Sequence, residues 1–190
     1  MSDFDIVVED KFGVIKGDDR IVFIKTGAGG SIYGYENKYL NIAGKIRDRY
    51  GFTVIISANP TDSFCILEDE IERVIEIVGW CNEIIYVGIS NGALIGAQQC
   101  NSVWKVSHAL LINAPLMINW HKTKAGAERF EGKCMHFVYG SEDPSARYIE
   151  LIDCIDNDRC DYELVDSIGH NLSESELEQI VDAFLTIYFM

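Results

Sequence analysis

Short apolar runs alternate with segments of helical periodicity along the whole chain. Between the runs, apolar residues recur every three or four positions, as on the buried side of a helix. The apolar runs predict strands over 4–8, 12–16, 21–24, 52–56, 84–87, 109–112, 135–139 and 162–165. The periodic segments predict helices over 37–50, 67–78 and 91–100, from about 145, and from a capping box at Ser173 and Glu176. The segment 113–133 fits neither pattern clearly.

This alternation predicts an α/β fold with right-handed crossovers and a mostly parallel sheet covered on both faces. The first two runs are separated by only three polar residues, so they predict an antiparallel N-terminal hairpin. We therefore expect a three-layer αβα sandwich with a twisted sheet of about eight strands, formed by residues 1–190 as one domain. Chemistry in such sheets collects at the carboxyl ends of the strands.

The pentapeptide Gly88-Ile89-Ser90-Asn91-Gly92 follows a predicted strand and opens a predicted helix. A serine on such a turn has a strained backbone and pushes its hydroxyl out of the sheet. Glycine is needed on both sides because side chains there would collide. A structural Gly-Ser turn is the alternative, but the flanking strand and helix favour a nucleophile, Ser90.

A nucleophilic serine needs a base, which in turn needs an orienting acid. Of the four histidines, only His170 lies in a loop at the same sheet edge; His108 and His136 fall in predicted strands and His121 in the unassigned segment. The acid is expected after the strand 135–139, where Asp143 is the first choice and Glu142 the second. An aspartate that only caps the following helix is the alternative interpretation of Asp143.

The chain at this point resembles the α/β-hydrolase family over almost its whole length. The resemblance rests on the hairpin, a strand ending in Thr26-Gly27-Ala28-Gly29-Gly30-Ser31, the G-x-S-x-G turn, Gly140-x-x-Asp143, and Gly169-His170 before the last helix. The order Ser90, Asp143, His170 is the family's order. Many family members have His-Gly where this chain has Thr26-Gly27, which puts in question how that loop is shaped.

The resemblance also implies an oxyanion hole and a substrate site. The oxyanion would be bound by the N–H groups of Ala28 and Asn91, with Gly29 as the alternative to Ala28. Gly29, Tyr33, Ile118 and Trp120 are the predicted substrate-binding residues. Because 113–133 is short, we expect an α/β-hydrolase fold without a cap domain.

Composition and charge bear on the partners, cofactors and location of the protein. Sixteen Lys and Arg against thirty Asp and Glu give a net charge of −14, which disfavours nucleic-acid and anionic-membrane partners. The six cysteines show no zinc-ligand spacing, so we expect free thiols, no metal and no cofactor. With no signal-peptide pattern, a cytoplasmic location is expected. The sequence leaves the oligomeric state open.

These features predict a serine hydrolase that cleaves an ester, thioester or amide of a small acyl group through an acyl-enzyme. Its partner would be a small-molecule ester substrate. The alternative is a non-catalytic binding or scaffold protein that retains the fold, and the altered Thr26-Gly27 loop is the feature that favours it.

Overall fold

Eight strands form one sheet in the computed structural model, which describes residues 3–61 and 64–190. They are β1 Ile6–Val8, β2 Phe12–Ile15, β3 Arg20–Lys25, β4 Thr53–Ser57, β5 Glu83–Ile89, β6 Val106–Ile112, β7 Cys134–Gly140 and β8 Cys160–Val165. Each strand overlaps one of the predicted apolar runs, so all eight predicted strands are confirmed.

The strand order is β1-β2-β4-β3-β5-β6-β7-β8. β2 runs antiparallel to both β1 and β4, which confirms the N-terminal hairpin. All other neighbours are parallel. The loops that follow β3, β5, β7 and β8 therefore meet at one edge of the sheet.

Helices cover both faces of the sheet. They are α1 Lys38–Tyr50, α2 Leu67–Val78, α3 Asn91–Gln99, α4 Trp120–Glu128 and α5 Glu174–Phe189. Side chains of α1 and α5 share one apolar cluster with one face of the sheet, and those of α2, α3 and α4 share a second cluster with the other face. The central strands read as continuous apolar runs because successive residues enter opposite clusters. The predicted three-layer sandwich is confirmed.

The helix expected from about residue 145 is a 3-10 helix over Pro144–Cys154. Its apolar residues Ala146, Ile149, Leu151 and Ile152, with Ile155 just beyond, belong to the cluster that also contains side chains of α2, α3 and α4. The predicted capping box of Ser173 and Glu176 is present at the start of α5.

The connection between β6 and β7 contains α4 and no cap domain. In this segment, 113–133, α4 packs beside α3 and so adds to a helical layer. Across 3–61 and 64–190, no helix is long and apolar enough to span a bilayer.

Candidate active site

Ser90 lies on a sharp turn between β5 and α3. Its φ of 54° and ψ of −115° place a side-chain-bearing residue in a strained region of backbone space. A Cβ at Gly88 would overlap the backbone of Ala93, and one at Gly92 would overlap the carbonyl of Lys25 at the end of β3. The two glycines thus allow the turn and the close approach of α3 to the sheet.

The structure brings Ser90, His170 and Asp143 into one hydrogen-bonded chain. The Oγ atom of Ser90 lies 3.0 Å from Nε2 of His170, and Nδ1 of His170 is hydrogen-bonded to Oδ2 of Asp143. The Asp143 side chain has 0% exposure and that of His170 has 43%. Glu142, the second choice for the acid, has an exposed side chain and does not contact His170.

The other three histidines lie away from Ser90. His108 is buried against aromatic rings of α5, and this burial lowers the pKa of its imidazole. Burial alone would also lower the pKa of His136, but the carboxylates of Asp161 and Glu163 hold it above its ordinary value. His121 is exposed on α4.

Asn113, which the sequence analysis missed, joins the loops that carry Asp143 and His170. Its Oδ1 accepts a hydrogen bond from the N–H of Gly140 at 3.0 Å, and its Nδ2 donates to the carbonyl of Gly169 at 3.1 Å. Asn113 is fully buried and has a φ of 53°, which asparagine tolerates better than most residues. An asparagine directly after a buried strand was the available signal.

The predicted oxyanion hole draws on two loops beside Ser90, since Asn91 directly follows Ser90 and Ala28 lines the same cavity. Asn91 is the first residue of α3, so its N–H has no intrahelical acceptor. In the loop after β3, the N–H of Gly29 is bonded to the carbonyl of Asn59 at 2.7 Å. No acceptor for the N–H of Ala28 occurs within the described ranges. Among the described residues, the N–H groups of Ala28 and Asn91 therefore have no hydrogen-bond acceptor, whereas that of Gly29 has one. The oxyanion hole stays a prediction.

Thr26 and Asn59 shape the loop that carries Ala28. The buried hydroxyl of Thr26 lies 3.2 Å from the carbonyls of both Gly30 and Ser57. The amide of Asn59 donates to the carbonyl of Thr26 and to Oδ1 of Asn91, each at 3.0 Å. Asn59 thus ties the two halves of the predicted oxyanion hole together, in a chain that lacks the family's His-Gly.

A cavity of about 380 Å³ opens beside Ser90 and His170. Its remaining wall comes from the loop after β3, the start of α1 and the loop after His170, with the residues Gly27, Ala28, Gly30, Lys38, Tyr39, Ile89, Asn171, Leu172 and Leu177. A neighbouring cavity of about 500 Å³ shares Lys38, Asn171 and Leu172. Burial raises the pKa of Tyr39 to about 12, so its phenol is neutral at physiological pH.

The structure does not bring the four predicted substrate-binding residues into the wall of the cavity at Ser90. Tyr33 packs on Phe4 with its ring centroid 5.4 Å away. Ile118 is 59% exposed, and Trp120 packs against the core cluster under α4. Gly29 lies in the loop after β3, part of which lines this cavity, but its N–H is bonded to the carbonyl of Asn59. As substrate-binding residues these four stay predictions.

Metal-ligating side chains are not clustered at this edge. Over 3–61 and 64–190, no three His, Cys, Asp or Glu side chains are placed to hold a metal ion. All six cysteines are free, and four of them are buried.

No family model and no curated protein sequence matches the chain. Solved structures do resemble it. Est1E from Butyrivibrio proteoclasticus has a TM-score of 0.72 at 10% identity, covering 93% of each chain. Alpha/beta hydrolase domain-containing protein 10 from mouse has a TM-score of 0.67 at 13% identity, again over 93% of each chain. An esterase from Pyrococcus furiosus has a TM-score of 0.65 at 14% identity, covering 100% of this chain and 93% of its own. The sheet order, the strained serine turn and these likenesses together show that the chain has the α/β-hydrolase fold.

Proposed function

We propose that this protein is a serine hydrolase that cleaves esters of small acyl groups through an acyl-enzyme. The observation that carries the proposal is the chain of contacts from Ser90 through His170 to the buried carboxylate of Asp143. This is the geometry that activates a serine hydroxyl as a nucleophile.

Acylation begins when Oγ of Ser90 attacks the ester carbonyl carbon and Nε2 of His170 accepts the hydroxyl proton. Asp143 holds the imidazole with its other N–H directed at the carboxylate, which leaves Nε2 free to accept. The carbonyl oxygen becomes negatively charged and is bound by the N–H groups of Ala28 and Asn91. The carbon–oxygen bond to the alcohol then breaks, and His170 donates its proton to the leaving oxygen.

Deacylation repeats the sequence with water. His170 accepts a proton from a water molecule as that water attacks the acyl carbon. The bond to Ser90 Oγ breaks, the proton returns to the serine, and the carboxylic acid leaves. The sum is an ester plus water giving an acid plus an alcohol, with the enzyme regenerated.

Several of the proteins with similar structures are esterases, which favours ester substrates over thioesters and amides. They include esterase PE8, at 16% identity, and the esterase from Pyrococcus furiosus. Ferulic acid is described as bound to Est1E. At these identities the likeness concerns the fold, so the choice of an ester is our inference for this chain.

A non-catalytic scaffold is the competing function, and it was favoured by the unusual Thr26-Gly27 loop. The hydrogen bonds of Thr26 and Asn59 give that loop a defined shape without the family's histidine. The Thr26-Gly27 loop therefore no longer favours a scaffold over a hydrolase.

A fluorophosphonate probe tests the proposal because it reacts with activated serines. We expect one probe molecule per chain, and we expect Ser90→Ala to abolish both labelling and hydrolysis of 4-nitrophenyl acetate. Ser141→Ala is the matched control, since Ser141 is an exposed serine at the same sheet edge. Labelling that persists in Ser90→Ala, or no labelling of the wild type, would contradict the proposal.

A further inference from the structure

Lys38 places a basic side chain in the wall of the cavity beside Ser90. Lys38 borders both this cavity and its neighbour. Among the described residues that line the two cavities, it is the only lysine or arginine. This position contrasts with the chain as a whole, whose net charge is −14.

Lys38 lies at the N-terminus of α1, where a negatively charged side chain would stabilise the helix better than a positive one. It is the first residue of α1, a helix with no acidic residue in its first turn and no side-chain cap from Asn37. The N-terminus of a helix carries partial positive charge, so a lysine there is unfavourable. Burial also lowers the pKa of the Lys38 ammonium from its ordinary value. An anion bound at this point would offset both effects.

The ammonium of Lys38 retains donors for a ligand. Its Nζ donates to the carbonyl of Leu172 at 2.9 Å and lies 5.2 Å from the centroid of the Tyr39 ring. An ammonium has three donors, so this one bond leaves two. Among the described residues, no carboxylate forms an ion pair with this ammonium, and burial is what lowers its pKa.

The contact with Leu172 relates Lys38 to the departing alcohol. During acylation His170 passes its proton to the leaving oxygen, so the alcohol portion must lie on the His170 side of the site. Leu172 is two residues beyond His170, and Asn171, Leu172 and Lys38 continue the cavity wall on that side.

We propose that Lys38 selects esters whose alcohol portion carries a compact anionic group such as a carboxylate. This inference rests on the proposed hydrolase function and names its substrate class. The anionic group would replace water at the two free donors of the Lys38 ammonium, next to the positive end of α1.

The neighbouring cavity limits how far the anion extends. Its wall carries the carboxylates of Glu36 and Glu174. Glu174 is engaged by Asn41 and Lys45, whereas Glu36 has no such cationic partner in the described part of the chain. A long anionic substituent would approach these carboxylates, so the favoured group is short.

Two acetyl esters that differ in one charge test the inference. They are 4-acetoxybenzoate, whose alcohol portion carries a carboxylate, and its neutral methyl ester. The measured quantity is kcat/KM for the anionic ester divided by kcat/KM for the neutral ester. We expect Lys38→Met to lower this ratio about tenfold, as for loss of one hydrogen bond to a charged group, and Lys38→Arg to retain most of it. In wild type the ratio should fall with added salt.

Lys133→Met is the matched control, because it removes the same charge at the opposite sheet edge, where Lys133 is 70% exposed. Its ratio should equal that of the wild type. Equal losses for both esters in Lys38→Met, with an unchanged ratio, would overturn the inference and leave Lys38 a structural link between α1 and the His170 loop. If the wild type cleaves the neutral ester but the ratio does not depend on Lys38, only this inference fails. If neither ester is cleaved and Ser90 is not labelled, the proposed function fails with it.

Discussion

An asparagine side chain can accept and donate a hydrogen bond at once, and Asn113 uses both capacities. Its Oδ1 accepts a hydrogen bond from the N–H of Gly140, three residues before Asp143. Its Nδ2 donates to the carbonyl of Gly169, the residue before His170. The loops that carry Asp143 and His170, the proposed acid and base, are thus both held by one buried side chain at the end of β6. A carboxylate could not donate to Gly169, and a hydroxyl is too short to span the two loops.

We expect Asn113→Gly to slow fluorophosphonate labelling of Ser90 about tenfold. Glycine tolerates the positive φ of this position, so the change removes the two hydrogen bonds without adding backbone strain. The labelling rate should fall because His170 and Asp143 are less well held, while stability falls by about 1–3 kcal/mol. Labelling kinetics and thermal unfolding measure the two effects.

Asn157→Gly is the matched control, because the Asn157 amide also donates to two backbone carbonyls, those of Ala127 and Phe130. It should lower stability and leave the labelling rate of Ser90 unchanged. Equal slowing in both variants would mean that Asn113 acts only through stability.

At the residue scale, the sequence predicts the proposed triad of Ser90, His170 and Asp143 better than it predicts the residues that hold these three in place. Ser90 is part of a local motif, and His170 and Asp143 follow from chain order and loop position. Asn113 and Asn59 act through bonds to residues 27, 56 and 32 positions away. Such bonds leave no local pattern, so only the folded structure identifies them.

At the scale of elements, a buried ion pair holds β3, β4 and α2 together just behind the oxyanion loop. Lys25 Nζ lies 2.8 Å from Oε2 of Glu70, with side-chain exposures of 1% and 5%. Ser57 at the end of β4 bonds to both partners, at 3.0 Å to Lys25 and 2.9 Å to Glu70. Because Thr26 directly follows Lys25 and Ala28 lies two residues further on, this pair fixes where the loop begins.

Removing one partner should be costly. We expect Glu70→Gln to lower the free energy of unfolding by about 3–5 kcal/mol, because it leaves the Lys25 ammonium buried without its counter-charge. Glu72→Gln, on the exposed side of the same helix, should change it by less than about 0.5 kcal/mol. Lys25→Met combined with Glu70→Leu should recover much of the loss. Urea unfolding of the wild type and the three variants checks this, and a double variant no more stable than Glu70→Gln would contradict it.

The same pair predicts how stability depends on pH. Burial alone would raise the pKa of Glu70, but attraction to Lys25 and the hydrogen bonds lower it overall. A carboxyl group whose pKa is lower in the folded state stabilises the fold above its ordinary pKa. That stabilisation is lost as the pH falls through the folded-state value. The difference in stability between wild type and Glu70→Gln should therefore narrow in acid.

Element types followed from the sequence wherever periodicity was strong. The strands and the helices α1, α2, α3 and α5 match the predicted segments within a few residues. The helix predicted from about residue 145 is the 3-10 helix Pro144–Cys154. The short helix α4 lies within 113–133, where small residues leave only a weak apolar pattern.

At the scale of the whole molecule, the alternation of strands and helices was enough to predict the sandwich. Strands buried on both faces read as unbroken apolar runs, and helices with one buried side read as periodic ones. The sequence could not predict the wall of the cavity beside Ser90. That wall combines residues from distant parts of the chain, mainly the loop after β3, the start of α1 and the loop after His170. Tyr33, Ile118 and Trp120, which the resemblance suggests as substrate-binding residues, do not line this cavity, and their role stays a prediction.

The absence of a cap domain in the described chain leads to a prediction about acyl chains. The cavity at Ser90 has few large apolar side chains, chiefly Ile89, Leu172 and Leu177. Burying a methylene contributes about 0.8 kcal/mol, which is roughly fourfold in kcat/KM for each carbon that finds an apolar wall. With so little wall, we expect kcat/KM for 4-nitrophenyl esters to be highest for acetate or propionate and to stay level or fall through decanoate. Measurements below the critical micelle concentration of each ester, with Ser90→Ala as the blank, provide the check. A fourfold rise with each added methylene would mean that a closed acyl pocket forms on binding and would contradict the open site.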